Sequence, residues 1–245
     1  MNLAPIPVQD ELVHDAATRA FANMAQKGGD ALGAVKQLGF ADALPDHEAW
    51  PQAATVIRAQ ARAAAPVDMA EILSGGDASA LSLGRLLQIC AGMEAALDLS
   101  LKYVQDRKQF GRALAQFQAI QHQLAIAAEE IAACGAATDL ALACAAREGH
   151  ASPRLPALLD GATLVAGRAV DVVYENCHQV HGAIGFTQEY ALHRHSLDLL
   201  RWRAELQKLR GGELGCAERL GDWALAGGSL WRGVVSAMSP GGKNG

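Results

Sequence analysis

The sequence predicts an all-α protein, and three observations carry that expectation. Hydrophobic residues make up 51% of the 245-residue chain but aromatics only 5%, and alanine, the best helix former, recurs where strands would call for β-branched and aromatic residues. Apolar residues return at three- and four-residue steps over several long stretches. Short corners containing glycine or proline separate those stretches, which describes an antiparallel bundle.

In chain order, a proline-containing arm leads into a helix expected over 10–26, stopped by Gly28 and Gly29. A second pattern, with Leu32, Val35, Leu38 and Phe40 apolar, covers 31–44 until Pro45 breaks it. A third helix is expected over 50–65, with Pro51 in its first turn and Val56 and Ile57 facing inward. The run Ala64 to Asp77 turns the chain, with no strand-like alternation or hairpin dipeptide between Leu73 and Leu81. The first long helix is expected over 80–106, with Leu86, Ile89, Met93, Leu97, Leu101 and Val104 on one face.

A charged corner, Asp106-Arg107-Lys108-Gln109-Phe110-Gly111, ends that helix. A second long helix is expected directly after it, over 113–147, spanning about 50 Å, with Phe117, Ile120, Leu124, Ala127, Ile131, Cys134 and Thr138 in one stripe. Gly149 and Pro153 punctuate its end, and a third covers 155–179. After a corner at 182–187 come a fourth over 189–209, an interruption at Gly211-Gly212, a shorter helix over 213–226 and a frayed glycine-rich tail. The expected domains are a short helical region over 1–77 and the bundle over 78–240.

The formal net charge of -5 argues against binding nucleic acid through bulk electrostatics. Cys90, Cys134, Cys144, Cys177 and Cys216 are widely spaced with no CxxC pair, and read as reduced, mostly buried thiols of a cytoplasmic protein. The N-terminus carries no basic leader followed by an apolar run, so no signal peptide is expected. No apolar stretch is expected to approach the roughly 18 residues of a membrane span.

Arginine, amides and an exposed aromatic at the joint of two long helices suit a planar anionic ligand, because guanidinium and amide donors match phosphate oxygens. Solvated capping residues are the plainer reading of the same spacing. His178, His181, His193 and His195 lack the spacing and the accompanying Cys or carboxylate ligands of a metal site, so no metal is expected. A hydrogen bond is expected at His181. Glu94 reads as a buried acid or, more plainly, as an edge position or a contact with a partner helix. Arg194, Arg201, Arg203 and Arg210 read as phosphate contacts or as a solvated face paired with Asp198, Glu205 and Glu213.

The segment YVQDRKQFGRALAQFQAIQHQLA resembles the signature of the acyl-CoA dehydrogenase family, an R-x-x-F-G corner with a glutamine about seven residues after the glycine. Gln179 to Thr187, QVHGAIGFT, resembles the family's Q-x-x-G-G-x-G-F-T segment, with Ala183 where the family usually has a second glycine. Leu38-Gly39-Phe40 and Ala64 to Glu71 resemble shorter elements of its first domain. The resemblance implies an all-α C-terminal four-helix bundle of acyl-CoA dehydrogenase type behind a short helical N-terminal region, without the family's middle β-domain.

It also implies that Arg107, Gln109, Phe110, Gln118, Gln179 and Gly182 contact the adenosine diphosphate part of an FAD shared with a neighbouring subunit. The family's catalytic glutamate sits at one of two locations. These fall here at Leu81, Ser82 or Gly84 and at Arg203, none a carboxylate, so no catalytic residue is expected beyond a weak candidate, Glu205, whose plainer reading is a pair with Lys208. The implied function is a subunit of a heteromeric FAD-dependent acyl-CoA dehydrogenase acting on bulky or steroid side-chain thioesters, with a full-length partner supplying the glutamate. A self-sufficient homo-oligomeric enzyme and a flavin-free helical interaction protein are the alternatives.

Overall fold

The computed structural model describes residues 8–27, 33, 35–36 and 49–226. Eight α-helices run through the described residues: α1 (Val8–Lys27), α2 (Trp50–Ala63), α3 (Met69–Ser74), α4 (Ala78–Asp106), α5 (Gln118–Glu148), α6 (Leu155–His181), α7 (Leu192–Arg210) and α8 (Gly212–Leu225). A two-residue antiparallel hairpin, β1 (Lys108–Gln109) with β2 (Arg112–Ala113), sits between α4 and α5. The Leu38-Gly39-Phe40 element, the helix expected over 31–44 and the tail lie outside the described residues, apart from positions 33, 35 and 36.

Helices α4 to α7 form an up-down-up-down bundle. At one end, Tyr103 in the last turn of α4 stacks on His181 in the last turn of α6, with ring centroids 4.4 Å apart, and meets Tyr190 just before α7. At the other end, Arg85 near the start of α4 pairs with Glu205 late in α7 at 2.7 Å, and Arg210 at the end of α7 pairs with Asp160 early in α6 at 2.5 Å. The ends of α4 and α6 and the starts of α5 and α7 therefore share one pole.

Helix α4 was expected to bury one face. Instead residues 82–93 are buried all round, because α2, α3, α5, α6 and α7 all pack on it. This also corrects the expectation about membrane spans: α4 is long and apolar enough to cross a membrane by length and composition, but 83% of its most apolar window is inside the protein. Its hydropathy is that of a core helix. Leu83, Leu86, Leu87, Ile89 and Met93 have no exposed surface, and Asp77 caps the helix by accepting the Ala80 N–H at 2.7 Å.

Two further expectations are corrected. The run after Ala64 contains α3, whose N-cap Asp68 accepts the Glu71 N–H. The second long helix begins at Gln118 rather than Ala113, because 107–117 is used by the hairpin, closed by Leu114 N–H donating to the Arg107 carbonyl at 2.9 Å, and by a 3-10 turn over Leu114–Gln116. Of the stripe expected on that helix, Leu124, Ala127, Ile131, Cys134 and Thr138 are buried, Ile120 is half-buried, and Phe117 stands before the helix as its N-cap. All five cysteines are free and buried.

The Asp68, Glu205 and Gln88 side chains surround the buried Arg85, which pairs with Asp68 at 2.6 Å and donates to Gln88 at 2.7 Å. Gln88 in turn donates to Gln60, and Gln60 to the Ala65 carbonyl. The network ties α2, α3, α4 and α7 together with its charges compensated, as a buried cation requires. Burial raises the Asp68 carboxyl, but Arg85 and the Glu71 and Gln88 donors outweigh it and leave it below its ordinary range.

Candidate functional site

The pole where α4 and α6 end carries both sequence blocks. Arg107 ends α4, and its N–H donates to the Tyr103 carbonyl. The hairpin then follows, with residues 108–112 exposed. Phe110 (φ 53°) and Gly111 (φ 81°) both have positive φ, the geometry of a two-residue hairpin turn whose twist suits the flanking strands. A left-handed phenylalanine costs about 1–2 kcal/mol, yet its side chain is 90% exposed. The turn displays an aromatic rather than burying one. Phe117 supports it edge-on at 6.2 Å, and Gln118 opens α5 immediately afterwards.

The second block follows the end of α6. Gly182 has φ 64° and ψ -145°, a region open essentially only to glycine, and a Cβ built on it would meet nothing within 4 Å. Ala183 has no positive φ, so its methyl costs no backbone strain and faces open space. Gly185 is the packed glycine of the block: a Cβ there would lie 3.0 Å from the His181 Cβ and 3.2 Å from the His178 Nδ1.

His181 donates from Nδ1 to the Cys177 carbonyl at 2.7 Å, since a carbonyl only accepts. Its Nε2 is thereby a bare acceptor, buried without a partner between the Tyr103 and Tyr190 rings. Ser196 gives its proton to the Leu192 carbonyl, so His178 Nε2 donates to the Ser196 hydroxyl at 2.7 Å and His178 Nδ1 is the bare nitrogen. Burial pushes both imidazoles below their ordinary range. The neutral His181 ring, stacked on Tyr103 and tilted against Tyr190, joins the two blocks, while His178 stacks on Phe186 within the second.

Beside the second block lies an open cavity of about 690 Å³, lined by Gln179, Gly182, Phe186, Tyr174, Asn176 and Gln123 among others. Of the six residues that the resemblance names, Gln179 and Gly182 line this cavity. Arg107, Gln109, Phe110 and Gln118 stand at the same pole but do not line the cavity. Tyr174, Asn176 and Gln123 were missed. Tyr174 lies one helical turn before His178, on the same face, and that spacing was the available signal.

The opposite pole is filled. A Cβ on Gly84 would lie 2.7 Å from the Ala70 Cβ of α3. Ser82 donates to the Ala78 carbonyl, and Arg203 pairs with Asp171. Glu205 pairs with the buried Arg85 rather than with Lys208, correcting the plainer reading of that residue, and sits roughly 30 Å along α4 from the hairpin. Glu94 lies at an exposed edge and accepts from Arg62 at 2.9 Å. Arg201 pairs with Asp198 and Arg210 with Asp160. Among the described residues no group of three or more His, Cys, Asp or Glu side chains is placed to hold a metal ion.

Comparison with known proteins gives a consistent result. The family model described as "Acyl-CoA dehydrogenase, C-terminal domain" matches residues 77–204. The "Probable acyl-CoA dehydrogenase YngJ" of Bacillus subtilis is 37% identical over 101 residues, covering 41% of this chain and 26% of that protein. The chain thus spans about a quarter of the length of the curated relatives it matches. Butyryl-CoA dehydrogenase from Megasphaera elsdenii aligns over 60% of this chain and 37% of its own, at 26% identity and a TM-score of 0.53. A chain of the ChsE4-ChsE5 complex from Mycobacterium tuberculosis aligns over 94% of this chain and 100% of its own, with a TM-score of 0.75 at 12% identity. A chain of the Tcur3481-Tcur3483 steroid ACAD does so over 89% and 98%, with a TM-score of 0.67 at 18% identity. Those last two likenesses are likenesses of fold.

Proposed function

Because this chain belongs to the acyl-CoA dehydrogenase family, we propose that it is a subunit of a heteromeric FAD-dependent acyl-CoA dehydrogenase that contributes the adenosine diphosphate side of a shared flavin site and leaves the catalytic base to a full-length partner. The observation that carries this reading is the asymmetry of the bundle. One pole is open and lined by polar side chains; the other, where the family resemblance would put the base, is closed by Ala70 over Gly84 and by the Arg85–Glu205 pair.

The residues present fit an adenosine diphosphate. The cavity beside Gln179 is of nucleotide size, Gly182 lets a ligand approach the backbone, and Arg107 makes no ion pair among the described residues. Arg107 would hold phosphate oxygens, Gln109, Gln118 and Gln179 would hydrogen-bond the nucleoside, and Phe110 would cover it with its displayed ring. A bound flavin supplies the hydride acceptor for α,β-desaturation of an acyl thioester. This chain's part is to bind and orient the far end of that cofactor.

Likeness over nearly the whole chain to a component of the ChsE4-ChsE5 complex and of a steroid ACAD supports a heteromeric assembly and a bulky, steroid-like acyl group as substrate class. The test is the flavin content of the complex purified after co-expression with a full-length dehydrogenase chain. Arg107→Ala in this chain is expected to lower the flavin-to-protein ratio without dissociating the two chains. An unchanged ratio would count against the reading.

A further inference from the structure

The hairpin holds a cation that the site described above does not use. In β1–β2 the paired positions are Gln109 with Arg112 and Lys108 with Ala113. Directly opposed residues of an antiparallel pair project from the same face. Arg112 therefore stands beside Gln109, and Lys108 points to the other side.

Arg112 is also held. Its guanidinium carbon lies 4.0 Å from the centroid of the Phe117 ring, within reach of a cation–π interaction. Phe117 is fixed in turn: its N–H donates to the Leu114 carbonyl at 3.1 Å, and its own carbonyl accepts from Ile120 and Gln121 at the start of α5. A guanidinium stacked on a ring keeps its N–H edge free for in-plane acceptors. The arginines in the body of the protein, such as Arg58, Arg62, Arg85, Arg203 and Arg210, are each paired with a carboxylate. Arg107, Lys108 and Arg112 have no such pair among the described residues, and with one acid, Asp106, beside them they leave the corner positive in a chain whose formal charge is -5.

We infer that Arg112, oriented by Phe117, is a second binding residue for the diphosphate of the dinucleotide, joining Arg107 across the hairpin. The inference rests on the function proposed above. A loose surface arginine would gain little by binding phosphate, since immobilising it costs side-chain entropy; Phe117 has already taken up that cost.

The test uses the purified full chain with ADP and adenosine as probes, followed by ligand-observed NMR, which reads weak binding. Arg112→Ala is expected to raise the Kd for ADP roughly tenfold, the worth of one charge-assisted contact, to leave adenosine binding unchanged and to flatten the salt dependence of ADP binding. Arg112→Lys, which keeps charge but loses the planar stack, should fall between Ala and wild type, as should Phe117→Leu. Equal losses for ADP and adenosine would make Arg112 a support of the hairpin and overturn the assignment. Weaker ADP binding in Arg107→Ala but not in Arg112→Ala would overturn it while leaving the proposed function standing. Failure of the wild-type chain to bind ADP at all would overturn the assignment, while the proposed function stands or falls on the flavin content of the two-chain complex.

Discussion

At Gly182 the backbone, rather than any packing constraint, dictates the residue. Nothing lies within 4 Å of a Cβ built there, so a steric argument alone would allow alanine. The φ of 64° with ψ of -145° forbids it. Gly182→Ala is expected to destabilise by about 1–3 kcal/mol, and Ala183→Gly by much less, as read by urea unfolding of the two variants. Glu205 makes the converse point. Sequence reasoning could place it two positions beyond the family's base, but not reveal the arginine 120 positions earlier that neutralises it. Glu205→Gln should lower the unfolding midpoint by weakening the Arg85 network and leave the flavin content of the complex unchanged. A loss of turnover greater than the loss of folded protein would instead return Glu205 to the chemistry.

Among the elements, the long helices were legible because their apolar spacing, caps and glycine corners all agree. Helix bounds over 78–106 and 155–181 fell within two residues of expectation. What was not legible was short. Helix α3 has six residues, too few for a periodic pattern, and the hairpin turns on Phe110-Gly111 without an Asn-Gly or Asp-Gly signal. The candidate site was half legible for the same reason: motif residues could be named, but their arrangement depends on the Tyr103–His181 stack between residues far apart in sequence.

Helix α8 offers a test at this scale. Asp160, 1% exposed, accepts from Arg219 at 2.6 and 2.8 Å and from Arg210 at 2.5 and 3.0 Å. It fastens α8 to α6 and α7. Asp160→Ala would leave two arginines facing a buried gap, at a cost of about 3–5 kcal/mol. Limited proteolysis should then cut within 212–225 before the bundle is attacked.

For the whole molecule, the buried histidines set a pH dependence. Burial, followed by the charges of Arg62 and Arg194, pushes the His195 imidazole down to about 4, and burial lowers His178 and His181 as well. The unfolded chain therefore binds protons first as pH falls. Stability from these groups is complete above an ordinary histidine pKa of about 6.5 and declines as pH drops toward 4, with His195 alone worth on the order of 3 kcal/mol. Urea unfolding at pH 7 and pH 5 should show the acid-side loss, and His195→Gln should reduce it.

The assembly is the largest scale and the central claim. Its most direct measurement is the visible absorption spectrum and native mass of this chain purified alone, and then co-expressed with a full-length dehydrogenase chain. The account predicts a colourless protein alone and a yellow complex containing both chains. A chain that is yellow by itself and oxidises an acyl-CoA thioester unaided would contradict it.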